Sequence, residues 1–338
     1  MANRLSYILE SNGRLSPHQH GFRRAHDTEL ALWNLINKAS RALQNRRRMA
    51  VLSLDIKSAY DRVWHTGLVH KLGTMQIPPY LIGWIHSFLS DRTACVRVGS
   101  TSITRNLQRG VPQGSPLSPI LFLIYIQDLL DSLHAVSGTH TQAYADDVIS
   151  HWTISKGQSD EHTTREVEQR ITTWAERWHM TFSPEKCKLL VIGRIRDTPL
   201  HFHLHGRELE QPSTLRYLGV WLDPTLSWKT HILKVTEKAL KRLRMLQWGL
   251  KTTWGFHPLI ARQMIDTTIL PVLFYAASTW CTVVTSTSSL SPLTRVLRHC
   301  AKTSMGLLRT VSTDTALVVA GLRPAETYIC QRLVEFYL

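Results

Sequence analysis

Cysteine is scarce in this sequence of 338 residues, and the five cysteines present are scattered. No two of them have the Cys-x-x-Cys spacing of a zinc or redox site, and an odd, scattered set is not a disulfide framework. We therefore expect a protein of a reducing compartment, without structural zinc or disulfide bonds. The five are Cys95, Cys187, Cys281, Cys300 and Cys330.

Long hydrophobic segments are also missing. The longest apolar run covers residues 120–126, far short of the roughly 20 residues that cross a bilayer. Residues 1–10 contain no continuous apolar core and do not resemble a signal peptide. These absences predict an intracellular protein, not secreted and without contact to a membrane.

Acidic residues are few compared with basic ones. Lysine and arginine together number 40 against 25 acidic residues, which gives a formal net charge of +15. Such an excess indicates a polyanionic partner such as nucleic acid. The 17 histidines show no clustered pattern of metal ligands.

Hydrophobic periodicity predicts a mixed α and β chain. A short apolar strand at 49–54 ends at Asp55, and Ser58 is expected to begin a helix that continues through His65. Residues 216–222 read as one further strand, and most of the chain after Trp228 reads as helical and basic. Other predicted helices cover 3–12, 27–43, 80–89, 117–133 and 161–180, and a hairpin is predicted around Gly99.

The most informative stretch is the acid pair Asp146-Asp147, which lies between apolar runs at 142–144 and 148–149. Such runs around a polar pair predict two strands joined by a tight turn. Adjacent carboxylates repel each other, and Mg²⁺, which prefers carboxylate and phosphate oxygens, is the usual compensation. The alternative is a solvated turn without a ligand. Together with Asp55 and the basic surface, the pair indicates two-metal phosphoryl transfer.

Further motifs occur around these acids in a fixed order: QHGFR at 19–23, DIKSAYDRVW at 55–64, RGVPQGSPLSP at 109–119, PEKCK at 184–188 and YLGVWLD at 217–223. With these motifs the chain resembles the reverse transcriptase domain of non-LTR (LINE-type) retrotransposons, in particular the jockey-like elements. The resemblance extends from Gln19 almost to the C-terminus.

The resemblance implies an α+β right-hand polymerase. Residues 1–48 would form partial fingers, 49–223 a ferredoxin-like palm with inserted fingers helices, and 224–338 a helical thumb and C-terminal region. The implied activity is RNA-directed DNA polymerisation, in which deoxynucleoside triphosphates extend a DNA primer on an RNA template. Two Mg²⁺ ions are the implied cofactors, with Mn²⁺ as a substitute ion.

Catalytic roles follow from the same resemblance. Asp55 and Asp146 match the shared metal ligands, and Asp147 matches the third acid. Asp147 ranks below Asp146 because neighbouring strand residues point to opposite faces. Lys186 resembles a lysine proposed to protonate pyrophosphate, with Lys188 as the alternative.

The nucleotide-binding residues are implied in the same way. Tyr60 matches the steric gate that excludes a ribose 2′-hydroxyl, although a buried aromatic without that role is the alternative. Gln113 and Gly114 match the loop that touches the incoming nucleotide and the template. Arg23 resembles the arginine that pairs with the triphosphate, and its neighbour Arg24 is the alternative.

The resemblance also implies contacts with the primer and the nucleic-acid backbone further along the chain. Leu218 and Gly219 resemble the primer grip. Four basic residues of the expected thumb helix would contact the nucleic-acid backbone: Lys238, Lys241, Arg242 and Arg244. The alternative is that they form a solvated face of the helix without a ligand.

The chain departs from its relatives in one respect, since no endonuclease and only part of the fingers precede the QHGFR motif. The second hypothesis is therefore a truncated, catalytically weak or inactive retroelement relic that still binds nucleic acid. A group II intron or telomerase relative is a third and weaker interpretation. For an active element, we expect localisation in the nucleus or in a cytoplasmic ribonucleoprotein.

Overall fold

The computed structural model describes residues 1–154, 161–193, 200–246 and 256–338. These residues form two compact units, the first made of 1–31 with 38–213 and the second of 32–37 with 214–338. The predicted division into partial fingers at 1–48, palm at 49–223 and thumb after 224 stays a prediction.

Helices and strands alternate in the first unit, whereas helices dominate the second. The helices are α1 Ala2–Ser11, α2 Thr28–Gln44, α3 His65–Thr74, α4 Pro79–Leu89, α5 Leu117–His134, α6 Glu161–Arg177, α7 Lys229–Leu246, α8 Pro258–Met264, α9 Leu270–Leu273, α10 Thr287–Met305, α11 Thr313–Val319 and α12 Ala325–Tyr337. The strands are β1 Arg48–Leu54, β2 Thr93–Val98, β3 Thr101–Asn106, β4 Thr139–Tyr144, β5 Asp147–Ile154, β6 Lys188–Ile192, β7 His203–Leu204, β8 Arg207–Glu208, β9 Leu215–Tyr217 and β10 Val220–Leu222.

A four-stranded antiparallel sheet forms the centre of the first unit, in the order β4-β5-β1-β6. Leu54 at the end of β1 is in register with Val148 at the start of β5, and Tyr144 is in register with Asp147. The residue that follows β1 and the turn between β4 and β5 therefore lie at the same end of the sheet.

Helix α5 supplies much of the core of this unit. Its sequence is apolar on nearly every side, which is typical of a fully buried helix, and twelve of its residues are buried. Side chains such as Phe122, Tyr125 and Leu129 belong to the same hydrophobic cluster as the strand residues Leu52 and Val148.

A buried lysine reinforces this core. The Lys71 ammonium of α3 lies 2.5 Å from the Asp128 carboxylate and 3.8 Å from the centre of the Trp178 ring. Burial lowers the pKa of Lys71 to about 8, although Asp128 favours the charged form. The amine thus joins α3, α5 and the segment after α6 at one point.

Most sequence predictions of secondary structure are confirmed, including the helices at 27–43 and 117–133, the hairpin around Gly99 and the strands on both sides of the acid pair. The Asp27 carboxylate caps α2 by accepting a hydrogen bond from the Leu30 amide.

Two predictions of secondary structure were wrong. Ser58 does not begin a helix: it has a left-handed φ of +50°, residues 57–62 form turns, and the helix begins only at His65. The expected strand at 216–222 is a hairpin that reverses at Leu218-Gly219, where φ is +43° and +86°. A left-handed pair interrupts an extended strand, and a leucine there gives no signal in the sequence.

All five cysteines are free. Within the described ranges, none of the helices has the length and apolar character needed to cross a bilayer.

In the second unit, Asp223 holds the connection between β10 and α7. Its carboxylate accepts hydrogen bonds from the amide and hydroxyl of Thr225 and from the amide and hydroxyl of Ser227, at 2.7–3.1 Å. Burial alone would raise the pKa of Asp223, but these four hydrogen bonds outweigh it and hold the pKa below its ordinary value.

Asp223→Asn should lower the free energy of unfolding by about 1.5–3 kcal/mol at pH 7, because an amide cannot accept all four charge-assisted hydrogen bonds. A lowered carboxyl pKa gives stability that is present above the unfolded-state pKa of about 4 and is lost as the pH falls through the folded value. Urea unfolding at pH 7 and pH 3 should therefore show a gap between variant and wild type that narrows in acid. Asp91→Asn, at an exposed residue, is the control, and a gap of equal size at both pH values would contradict the prediction.

Candidate active site

The acid pair lies at a strained turn. Strand β4 ends at Tyr144 and β5 begins at Asp147, so Ala145 and Asp146 alone connect two paired strands. Ala145 adopts a left-handed φ of +58° although it is not glycine. Such strain persists only where the surroundings determine the conformation, and it is concentrated at functional sites.

The side chain of Gln19 determines this conformation. Its amide oxygen accepts hydrogen bonds from the amides of Ala145 at 2.9 Å and Gly21 at 2.8 Å, and its amide nitrogen donates to the Ala145 carbonyl at 3.2 Å. The backbone of His18 and His20 pairs with Ala143 on either side. The segment 18–21 therefore holds the acid turn through both backbone and side chain.

Gly21 must be glycine for this contact to exist. A Cβ atom there would lie 2.3 Å from the Ala145 backbone nitrogen, well inside any real contact distance. Any larger residue would displace either the segment 18–21 or the acid turn.

Asp55 is fixed by the segment that leads into β6. Its backbone amide donates to Cys187 Sγ at 3.2 Å, and its carbonyl accepts from the Ser183 amide at 2.9 Å. The Lys186 ammonium lies 3.7 Å from an Asp55 carboxylate oxygen. The structure thus brings Asp55 and Lys186 together, while Lys188 pairs with Glu210 at 3.5 Å.

The three acids influence one another electrostatically. Desolvation of its carboxyl raises the pKa of Asp147, and the nearby charges of Asp146 and Asp55 raise it further. Repulsion among carboxylates is what a divalent cation relieves, so the donor set suits such an ion.

In the described part of the chain, no three or more His, Cys, Asp or Glu side chains are arranged so that they could hold a metal ion by themselves. That is compatible with Mg²⁺, which takes one or two carboxylates together with substrate phosphates. The ligand assignment Asp55, Asp146 and Asp147 stays a prediction.

Tyr60 lies close to the acids. Its ring stacks on Phe122 with centroids 5.0 Å apart, and its carbonyl accepts from the Val111 amide at 2.8 Å. Burial and the charge of Asp146 raise the pKa of Tyr60 to about 12, so the phenol stays neutral. The ring is therefore held rigidly beside the acid turn.

The loop at 109–116 is tied to the segment that follows Asp55. Gln113 Nε2 donates to Asp61 Oδ1 at 3.0 Å. Gly114 has a φ of +87° with open space where a Cβ would lie. The same loop packs tightly at Gly110, where a Cβ would lie 2.8 Å from the Asp61 carbonyl oxygen.

Arg23 is engaged with protein groups rather than presented to a ligand. Its guanidinium forms a two-pronged pair with Glu10 at 2.8 and 2.9 Å, donates to the Ser16 carbonyl at 2.7 Å and is only 10% exposed. These surroundings disfavour the predicted contact of Arg23 with a triphosphate. The alternative, Arg24, is exposed.

The other predicted residues belong to the second unit. Leu218 and Gly219 form the turn of the β9–β10 hairpin, and the Tyr275 hydroxyl donates to the Leu218 carbonyl at 3.0 Å. On α7, Lys238, Lys241 and Arg244 are exposed, whereas Arg242 donates to the Thr268 carbonyl at 3.0 Å. Their primer-grip and backbone-binding roles stay predictions.

Sequence reasoning did not identify two residues that position the site. Gln19 belongs to the QHGFR motif, yet its long-range clamp on Ala145 leaves no local signal. Cys187 lies within the PEKCK motif, where its thiol accepts from the Asp55 amide. Burial raises the pKa of Cys187 to about 11, so the group is an inert thiol.

Comparison with known proteins assigns the chain to a family. Residues 1–222 match the family described as reverse transcriptase (RNA-dependent DNA polymerase). The matched segment contains the three acids and Lys186.

The curated relatives include polymerases of mobile elements from Drosophila melanogaster. The chain is 29% identical over 291 residues to the probable RNA-directed DNA polymerase from transposon BS, and this alignment covers 83% of the chain and 32% of that protein. It is 30% identical over 254 residues to the corresponding probable polymerase from transposon X-element, covering 75% and 28%. The RNA-directed DNA polymerase from mobile element jockey is 30% identical over 258 residues, covering 73% and 27%. The chain thus spans about a third or less of the length of these relatives.

Among solved structures, telomerase from Candida tropicalis in complex with a fragment of telomeric RNA aligns with a TM-score of 0.51 at 12% identity. The alignment covers 98% of this chain and 56% of that chain. At this identity the likeness concerns the fold, and it confirms the expected α+β right-hand polymerase class. By its family match and by its relatives among mobile-element polymerases, the chain belongs to the reverse transcriptase family, in the group of LINE-type (non-LTR) retrotransposons.

Proposed function

We propose that this chain is the polymerase region of a non-LTR retrotransposon protein, which extends a DNA primer with deoxynucleotides on an RNA template. The supporting observation is the placement of Asp55, Asp146 and Asp147 at one end of one sheet, with Lys186 beside Asp55. Its place of action would be the nucleus or a cytoplasmic ribonucleoprotein.

Reverse transcriptases use divalent metal ions, and for this chain we propose two Mg²⁺ ions, with Mn²⁺ as a substitute. Asp55 and Asp146 would hold them, and the bound ions would supply activation of the primer hydroxyl and stabilisation of the leaving pyrophosphate. The protein's own contribution is positioning, because β1, β5 and the Gln19 clamp fix the carboxylates before substrate arrives.

Lys186 would donate a proton to the departing pyrophosphate. Its ammonium lies 3.7 Å from Asp55 and is largely exposed, so it remains accessible to a phosphate oxygen. Tyr60 would present the face of its ring to the sugar. Gln113 and Gly114 would contact the incoming nucleotide and the template.

Primer extension tests the proposal directly. The chain, supplied with an RNA template, an annealed DNA primer, deoxynucleotides and Mg²⁺, should lengthen the primer, and removal of the metal with EDTA should abolish extension. Asp146→Asn should lower the rate at least about a hundredfold, because it removes charge stabilisation from the reacting centre. Asp91→Asn, with the same change at an exposed residue, should extend normally. Folded protein that binds primer–template and does not extend it would favour the alternative of an inactive relic.

Tyr60→Ala should admit ribonucleotides while it preserves some DNA synthesis, since loss of the ring opens space for the 2′-hydroxyl. Tyr60→Phe keeps the ring on Phe122 and should keep the discrimination. The measurement is kcat/KM for matched deoxyribo- and ribonucleoside triphosphates. If Phe relaxes the selection as much as Ala does, then the hydroxyl and not the ring excludes ribose.

Gly21→Ala should lower kcat by at least about tenfold with a smaller change in KM, because its Cβ would push on the Ala145 backbone and displace the acids from their geometry. Gly83→Ala on α4 is the matched control, since no heavy atom lies within 4 Å of its Cβ position. Both variants are first compared by thermal unfolding. Normal kcat in a folded Gly21→Ala protein would show that the position of the acid turn does not depend on this close contact.

A further inference from the structure

Helix α10 and its neighbours in the second unit border a groove of about 480 Å³. Four side-chain hydroxyls line it: Thr287, Ser291, Thr294 and Thr313. Arg295 and Arg298 line it as well. In the part of the chain that the structure describes, none of these six side chains has an ion-pair or hydrogen-bond partner.

The lining residues of α10 follow helical spacing. Thr287, Ser291, Thr294 and Arg298 recur every three or four residues and therefore lie on one face of the helix. This stripe is about 16 Å long at 1.5 Å per residue, enough for several consecutive phosphates of a nucleic-acid strand. Arg295 lies beside the stripe, one position after Thr294.

Unpaired arginines beside unpaired hydroxyls are a set of donors without acceptors. Arginine has five N–H donors in a planar fork that matches phosphate oxygens. Arginine and hydroxyl side chains provide many of the known contacts to phosphate and sugar. Hydroxyls also accept hydrogen bonds, which an RNA strand can use because its 2′-hydroxyl is both donor and acceptor.

We propose that this groove binds the sugar–phosphate backbone of an RNA strand. The assignment rests on the proposed function for the choice of nucleic acid as the polyanion. It adds a contact surface on α10 to the one expected on α7, whose basic residues were predicted to contact the nucleic-acid backbone. Binding through backbone groups is independent of base sequence and weakens with salt.

Glu326 at the start of α12 also lines the groove, and its carboxylate has no ion-pair partner in the described chain. It leaves a net charge of +1 from the two arginines and one glutamate. A carboxylate repels a bound phosphate, so its removal should strengthen binding while removal of the arginines weakens it. Opposite effects that exceed those of the same charge changes elsewhere on the chain are the signature of a local site.

The test is fluorescence anisotropy with a labelled, unstructured RNA of about 16 nucleotides, titrated between about 50 and 200 mM salt. The double variant Arg295→Gln with Arg298→Gln should reduce the slope of log K against log salt by about 1.4, at about 0.7 per lost phosphate contact. The corresponding loss of affinity is about tenfold near 150 mM salt. Glu326→Gln should bind more tightly than wild type.

Matched controls separate a groove from diffuse charge. Arg216→Gln with Arg309→Gln removes the same charge from exposed residues of the same unit whose side chains have no partner in the described chain. Asp91→Asn removes the same charge as Glu326→Gln at an exposed residue outside the groove. Thermal unfolding establishes that each variant is folded. The proposal that the groove binds RNA would be overturned if the two arginine double variants changed the salt slope equally, or if the Arg295/Arg298 variant left it unchanged.

Two further arms define the ligand. The wild-type chain should bind RNA more tightly than a DNA strand of the same sequence, and Ser291→Ala with Thr294→Ala should remove most of that difference, because only RNA offers a 2′-hydroxyl to these side chains. Equal binding of the two strands by the wild type would overturn the assignment to RNA. Because binding is measured without nucleotides, a groove that binds RNA in a chain that does not extend primers would refute the polymerase proposal and leave this one standing.

Discussion

Three carboxylates lie at the same end of one sheet, and the first unit is arranged around the constraint of holding them there. Like charges at one place repel each other, and desolvation together with the charges of Asp146 and Asp55 raises the pKa of Asp147. The fold resists it by placing the acids on elements that cannot move independently. Asp55 follows β1, the acid pair connects β4 to β5, and β1 and β5 are hydrogen-bonded neighbours.

The sheet alone does not fix the turn, because Ala145 is in a conformation that costs an alanine about 1–2 kcal/mol. The compensation comes from residues more than a hundred positions away, where one Gln19 side chain satisfies three backbone groups, two of them on Ala145. A short motif near the N-terminus and an acid pair in the middle of the chain thus belong to one structural unit, because the motif holds the acid turn. Gly21 completes it because only glycine permits the approach.

How far the sequence predicted this arrangement depends on the range of the interactions. Amphipathic helices and the strand pair around the acids depend on local patterns, and they were predicted correctly. The errors at Ser58 and Leu218 are single residues with positive φ, and neither residue type signals such a conformation. Arg23 shows a third kind of limit. Its residue type suits a phosphate, but its pairing with Glu10 depends on packing between α1 and the segment after it, which no local pattern contains.

Long-range contacts also decide which basic side chains are available to a ligand. Composition gives only the net charge and does not show which side chains are already paired. Many basic side chains are neutralised within the fold or hydrogen-bonded to carbonyl groups, including Arg23, Lys71, Arg242 and Arg262. Those groups cannot contribute to binding without the loss of an internal contact. What remains for a polyanion is the subset without partners, and on α10 this subset coincides with unpaired hydroxyls in a groove. A net charge of +15 indicates the class of partner, whereas the pattern of unsatisfied donors indicates where the partner binds.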